Sequence, residues 1–201
     1  ADELTPKLQP LNKYGFSKWM LDMWMIENRL TDAVAGLRYF NVFGPNEYHK
    51  GGMASVVFRT FPQALHEGKI RLFASDRHDI KDGEQARDFI YVEEAVGITL
   101  FLMNHPEING IFNAGTAVAH TFRELAEHVF EGIDRKPVIE YFEMPDELKG
   151  KYQYYTKADM SHLLGSGYRQ TGDHFSENVI KYVRDYLKPG FRHLTAVPPT
   201  G

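Results

Sequence analysis

Apolar residues along this chain recur in two rhythms, a three-and-four spacing and short continuous runs, and their alternation predicts an α/β protein. Between Leu11 and Arg29, behind Pro10, Trp19, Met20, Met23, Trp24 and Ile26 follow helical spacing, so a helix is expected there. The next run, Ala33 to Val42, is β-rich and mostly apolar, the pattern of a parallel strand covered on both faces, and Gly44-Pro45 breaks it. A second helix is expected from Met53 to Glu67, stopped by Gly68, followed by a short strand from Ile70 to Phe73. Ala74 to Ala86 sets Asp76, Asp79, Asp82 and Glu84 among Arg77 and Lys81 and reads as a polar loop.

Further along, a strand from Asp88 to Val92 passes into a helix from Glu93 to Asn104, and Ile111-Phe112-Asn113 is another short strand. Thr121 with Glu124 three residues on has the spacing of a capping box, opening a helix to about Glu131. Val138 to Phe142 is strand-like, with helices expected from Lys157 to Leu164 and from Asp173 to Leu187. The tail from Lys188 to Gly201 is aperiodic, and the chain has no internal repeat.

Composition narrows the classes of function. A chain of 201 residues with 43% hydrophobic content can bury a real core. A formal charge of -4, with no block of Lys or Arg, gives no electrostatic reason to bind nucleic acid. Cysteine is absent, which excludes disulfides and thiolate metal sites and fits a reducing compartment. No run approaches the roughly 18 apolar residues of a spanning helix, and Ala-Asp-Glu-Leu-Thr-Pro has no basic lead into an apolar segment. A cytoplasmic protein without membrane partners is expected. The nine histidines form no His-Glu-x-x-His or similar cluster, so no metal site is expected.

The candidate chemistry lies in Tyr14-Gly-Phe-Ser-Lys18, because residues four apart on a helix share one face. A phenol ionises near pH 10 and is a poor base at neutrality; an ammonium held nearby stabilises the phenolate. Such a pair could take a proton from a substrate hydroxyl while a nicotinamide takes the hydride from the same carbon. The same spacing also suits an exposed lysine stacked on a tyrosine ring. Downstream stand Leu37-Arg-Tyr-Phe-Asn-Val-Phe-Gly-Pro45, Arg87-Asp-Phe-Ile-Tyr-Val92 and Gly110-Ile-Phe-Asn-Ala-Gly-Thr116.

In this order the four motifs resemble the extended short-chain dehydrogenase/reductase family. Gly44-Pro-Asn-Glu-Tyr-His-Lys-Gly-Gly-Met-Ala-Ser55 and Pro145-Asp-Glu-Leu-Lys-Gly-Lys-Tyr-Gln153 resemble the branch that epimerises an ADP-activated heptose at C6 for lipopolysaccharide. The resemblance implies oxidation at C6 to a ketone and return of the hydride to the opposite face. By position it makes Tyr14 and Lys50 the two acid/base residues, and NADP the cofactor, against Lys18, Val42 and Lys50. For the ADP-heptose substrate it implies Asn41, Arg87 and Tyr152, with Phe73, Ala74, Ser75 and Asp76 in a substrate loop, and a homo-oligomer as the assembly. Arg87 suits a diphosphate through bidentate bonds.

There are departures from the pattern. Gly52 stands where a substrate-contacting serine is common, so a contact there would come from backbone. Arg59 replaces a common histidine, Ala74 and Asp76 replace the usual Glu and Ser, and Ala117 replaces a frequent glycine. The loop from Asp76 to Ala86 is longer than the pattern. No Gly-x-x-Gly-x-x-Gly turn after a strand is present, and Thr5 is the only hydroxyl residue ahead of Tyr14.

The implied fold is therefore the C-terminal part of a Rossmann-type parallel sheet plus a smaller α/β substrate-binding lobe, without the N-terminal dinucleotide-binding half. Residues 1–50 would be the remaining Rossmann part, 51–188 mainly the substrate lobe with some segments returning to the Rossmann core, and 189–201 a tail. The chain reads as a fragment, itself expected to bind NADP weakly and turn over little. Two other readings stand beside this one: an epimerase or dehydratase of a UDP- or GDP-sugar, and a non-catalytic module assembling through the apolar residues of its first helix.

Overall fold

A computed structural model of the chain describes Pro10, residues 12–149 and residues 152–194. Thr5, Leu11, Gly150, Lys151 and the tail from 195 onward lie outside the described residues. In chain order come helix α1 (Lys13–Glu27), strands β1 (Ala35–Tyr39) and β2 (Asn41–Phe43), helix α2 (Val56–Pro62), and strands β3 (Ile70–Phe73), β4 (Ala86–Arg87) and β5 (Phe89–Tyr91). Helix α3 (Val92–Asn104), strands β6 (Gly110–Ala114) and β7 (His120–Thr121), helix α4 (Phe122–Gly132), strand β8 (Ile139–Phe142), and helices α5 (Ser161–Gly165) and α6 (Phe175–Lys181) follow. The chain is α/β with parallel pairing, and it divides into two compact units.

The first unit comprises Ala1–Asn41, Ala86–Ala119 and Met144–Asp173. Its ladder is parallel, β1 against β6, from Ala35 opposite Gly110 to Tyr39 opposite Ala114. All five residues of β6 are buried, which accounts for their reading as one continuous run. Helix α3 turns Ala95, Ile98 and Leu102 inward, and α5 contributes Leu163. A fully enclosed Ile or Leu of this kind stabilises by roughly 1.5–3 kcal/mol. Gly115 ends β6 where chains approach closely: a Cβ there would lie 2.5 Å from the Ala158 Cβ and 2.9 Å from an Asp88 carboxylate oxygen.

The expected strand from Ala33 to Val42 is interrupted, for a reason of hydrogen bonding. Phe40 N–H still donates to Ala114 on the β6 side (3.0 Å), whereas Asn41 N–H donates to the carbonyl of Asp88 (3.1 Å). The chain changes partner between these two residues. Nor is β1 covered on both faces: Ala35 and Tyr39 are exposed and the three residues between are half-buried. Its only ladder partner among the described residues is β6. Helix α1 is fastened beside it, with Arg38 Nε donating to Asp22 (2.8 Å).

The second unit comprises Val42–Gln85, His120–Glu143 and His174–Gly201. Here β3 pairs in parallel with β8, Ile70 opposite Ile139 through Phe73 opposite Phe142. Helices α2, α4 and α6 pack together, and α4 buries Leu125, Ala126, Val129, Phe130 and Gly132. The expected capping box is present: Thr121 accepts from Glu124 N–H (3.0 Å) while the Glu124 carboxylate accepts from Thr121 N–H (2.6 Å). The helix expected from Met53 begins at Val56 instead, because Ser55 caps it, accepting from Phe58 N–H (3.2 Å). Pro62 lacks the N–H that would continue the α ladder, and the next turn, Gln63–Glu67, widens to π geometry before Gly68 closes it at φ 69°.

Candidate active site

The Tyr14–Lys18 pair stands on the first turns of α1. Asn12 caps this helix, its side chain accepting from Gly15 N–H at 2.8 Å. Tyr14 is 71% exposed, and the Lys18 ammonium lies over its ring, 5.3 Å from the ring centre. The two side chains thus share one face with ring and ammonium open to a ligand, in the stacked form that their spacing also allows.

A second cluster in the same unit is built around a buried carboxylate. Asp88 is fully enclosed and accepts four hydrogen bonds: from Thr116 N–H (2.8 Å), Thr116 Oγ1 (2.9 Å), Ala117 N–H (3.0 Å) and Ala158 N–H (3.0 Å). Four bonds satisfy a carboxylate that would otherwise be costly to bury. They tie the end of β6 and the segment after Tyr152 to the strand that carries Arg87. Arg87, 8% exposed, places its guanidinium carbon 5.2 Å from the Tyr152 ring centre. Burial pushes the Arg87 guanidinium below its usual pKa, and the Tyr152 phenol opposes that shift. Asn41 joins the group, its side-chain amide donating to the Asp88 carbonyl at 3.2 Å.

The remaining candidates belong to the second unit. Val42 is half-buried in β2, whereas Lys50 and Gly52 are exposed on a 3-10 run, Tyr48–Met53, in which Gly51 breaks the helical geometry at φ 54°. Glu47, 5% exposed, anchors the base of this turn: its carboxylate accepts from Ser55 N–H (2.6 Å), Ser55 Oγ (2.6 Å) and Tyr182 Oη (3.0 Å). Arg59 sits on the exposed side of α2. Phe73, Ala74 and Ser75 are half-buried and Asp76 is exposed, in a loop that folds on itself. There Ser75 N–H donates to Asp82 (2.7 Å), Gln85 donates to the Phe73 carbonyl (3.4 Å), and the Phe73 ring packs 4.9 Å from that of Phe142.

The structure therefore gathers Tyr14 with Lys18, and Asn41 and Arg87 with Tyr152, inside the first unit. Lys50 with Gly52, and Phe73 with its loop, lie in the second. Asp88 and Glu47, which anchor the segments carrying these candidates, were not singled out from the sequence. Their signal was present: each is an acidic residue inside a largely apolar or turn-forming stretch, where an unpaired charge would be penalised. Among the described residues there is no group of three or more potential metal ligands, and no helix is long and apolar enough to cross a membrane.

The helix carrying Tyr14 and Lys18 and the parallel strand pairs define a Rossmann-like α/β chain. The sequence pattern of the NAD dependent epimerase/dehydratase family matches residues 1–115, and the chain belongs to that family. More narrowly, it is 45% identical, over 94% of its length, to ADP-L-glycero-D-manno-heptose-6-epimerase of Nitratidesulfovibrio vulgaris, and 40% identical over 92% to the protein of the same name from Fusobacterium nucleatum. It spans 58% and 59% of those two relatives. Among solved structures it is similar to the Helicobacter pylori ADP-L-glycero-D-manno-heptose-6-epimerase, with TM-score 0.70 and 27% identity, covering 90% of this chain and 52% of that one. Thermus thermophilus UDP-glucose 4-epimerase in complex with NAD shares the fold, with TM-score 0.69 and 21% identity over 92% of this chain and 60% of that one.

Proposed function

We propose that the protein carrying this chain is an epimerase of ADP-activated heptose, interconverting the D-glycero and L-glycero forms at C6 for lipopolysaccharide synthesis. The observation that carries this reading is the 45% identity over 94% of the chain to a relative of that name. The open face shared by Tyr14 and Lys18 is chemically suited to a nicotinamide dinucleotide; on the resemblance, Lys18 would hold its ribose and Val42 and Lys50 would contact its nicotinamide. That cofactor, when bound, supplies the hydride acceptor and donor that inversion at a hydroxyl-bearing carbon requires.

The chain's own residues then handle protons and position. Tyr14 takes or returns the proton of the C6 hydroxyl for one epimer, with Lys18 stabilising the phenolate. Lys50 does the same for the other epimer, whose hydroxyl points the opposite way. Arg87 holds the diphosphate beside Tyr152 and Asn41, and the loop from Phe73 to Asp76 borders the sugar, with Gly52 offering backbone and Arg59 a further phosphate contact. NADP rather than NAD, a cytoplasmic location and a homo-oligomer belong to this proposal on the resemblance to the same branch.

The test is an assay of the whole gene product with ADP-D-glycero-D-manno-heptose and with UDP-glucose. Turnover of the ADP-heptose alone is expected; turnover of UDP-glucose at a comparable kcat/KM would favour the rival epimerase. The 201 residues by themselves, which contain no Gly-x-x-Gly-x-x-Gly motif, are expected to bind NADP weakly. Micromolar affinity in a calorimetric titration would contradict that.

A further inference from the structure

The turn that carries Lys50 is gripped at three consecutive residues and open beyond them. Asn46 adopts a left-handed backbone, φ 75°, which aims its side chain at the C-terminal segment. Its amide forms a two-point clamp on Leu194, accepting from the backbone N–H (3.0 Å) and donating to the carbonyl (3.4 Å), and its oxygen also lies 3.0 Å from His193 Nδ1. Glu47 is anchored through Ser55 and Tyr182, as described above. Tyr48 Oη donates to the Arg192 carbonyl, and its ring sits 5.5 Å from Phe191, 5.2 Å from His193 and 5.8 Å from Phe58.

The segment 190–194 is itself held at its other end. Arg192 N–H donates to the Tyr186 carbonyl (2.9 Å), Gly190 N–H donates to Leu187 (3.1 Å), and Phe191 turns back at φ 60°. Past Tyr48 the chain has little support: Lys50 N–H donates to the Glu47 carbonyl (3.0 Å), while a side chain at Gly51 or Gly52 would meet nothing within 4 Å. Lys50 thus inherits its position from residues 46–48, and two of those three are fixed by residues 191–194.

We infer that residues 190–194 form a strap that positions Lys50, with Asn46 and Tyr48 as the positioning residues it grips. The inference rests on the acid/base reading of Lys50 for its catalytic consequence, though not for its structural one. A proton-transfer group must stand within hydrogen-bond reach of its target, and a misplacement of about 1 Å can cost on the order of a hundredfold in rate. The strap is an unusual place to find such control, since it is remote in sequence and carries no chemistry itself.

Two substitutions probe it without truncating the chain: Asn46→Gly keeps the left-handed backbone and removes the clamp, and Tyr48→Phe keeps the ring and removes the donor. In the whole gene product, hydrogen exchange at the Lys50 amide is expected to quicken about tenfold in each. Unchanged exchange overturns the strap whatever the enzyme's activity. On turnover of ADP-heptose, each variant is expected to lower kcat about tenfold with KM little changed, and the loss should vanish in a Lys50→Met background. Equal losses with and without Lys50 would mean that the strap positions something else, and overturn the inference. If the parent protein fails to turn over ADP-heptose while the exchange result holds, the proposed function falls and the strap stands.

Discussion

Helices α1 and α4 are both rich in large apolar residues, but they use them differently. In α4, five of the eleven residues are buried, and a reciprocal capping box fixes its start. None of the fifteen residues of α1 is buried; Tyr14, Phe16, Met20, Leu21 and Trp24 are exposed, and the Trp19 indole N–H is enclosed with no hydrogen-bond partner among the described residues. Apolar residues concentrated on one stripe make α4 a core element; spread around the cylinder, they give α1 contact surface in several directions. The helix that stabilises its unit and the helix proposed to present the chemistry are thus separate elements, and substitutions should sort accordingly.

The largest expected effect is on α1. Replacing Tyr14 by Phe should lower epimerase turnover of the whole gene product by about 10²–10⁴-fold, the usual range for a general acid/base, and leave the urea midpoint nearly unchanged because the side chain is 71% exposed. A matching loss of stability would break the contrast by making α1 a structural element. Next comes Leu125→Ala on α4, which empties a fully buried position and should cost about 2–5 kcal/mol in equilibrium unfolding with kcat preserved. Removing the cap of α4 by Thr121→Ala should cost about 0.5–2 kcal/mol, read by the same denaturation.

The smallest effect concerns the sheet beside α4. Lys69 donates to Glu140 at 2.9 Å and, with Arg71 adding to it, holds that carboxyl below its ordinary value of 4.5. A depressed folded-state pKa contributes stability above about pH 4.5, lost as pH falls through the folded value. Because the pair is exposed, the contribution is small. Urea titrations of the protein and of Lys69→Met at neutral pH and near pH 3 should differ slightly at the higher pH and converge at the lower.

What could be read from the sequence follows the same division. Thr121–Glu124, Gly68 and the run at Ile70–Phe73 were legible because each is a local event: a cap, a left-handed stop, and a short strand that buries Ile70 and Leu72 on one face. The interruption at Phe40–Asn41 was not, since it depends on which distant carbonyl, Ala114 or Asp88, receives each N–H. Likewise Ser55 outcompeted Met53 as the start of α2 through a bond that spacing alone did not reveal. At the candidate site the residue types and their spacing pointed to Tyr14 and Lys18, and Lys50 was implied only by the resemblance of the segment around it, whereas the groups that hold such residues in place did not stand out. Asp88 and Glu47 act by accepting bonds from segments far away in the chain, and the grip of residues 191–194 on Asn46 and Tyr48 spans almost the whole second unit's sequence.

In the proposed reaction hydride leaves and returns at C6 while Tyr14 and Lys50 move only hydroxyl protons. The most direct measurement is to give the whole gene product ADP-heptose deuterated at C6, in ordinary water, and follow the label by NMR and mass spectrometry. The epimerised product is expected to retain deuterium at C6. Product in which solvent hydrogen has replaced it would show that the carbon itself is deprotonated, and would contradict hydride transfer at C6.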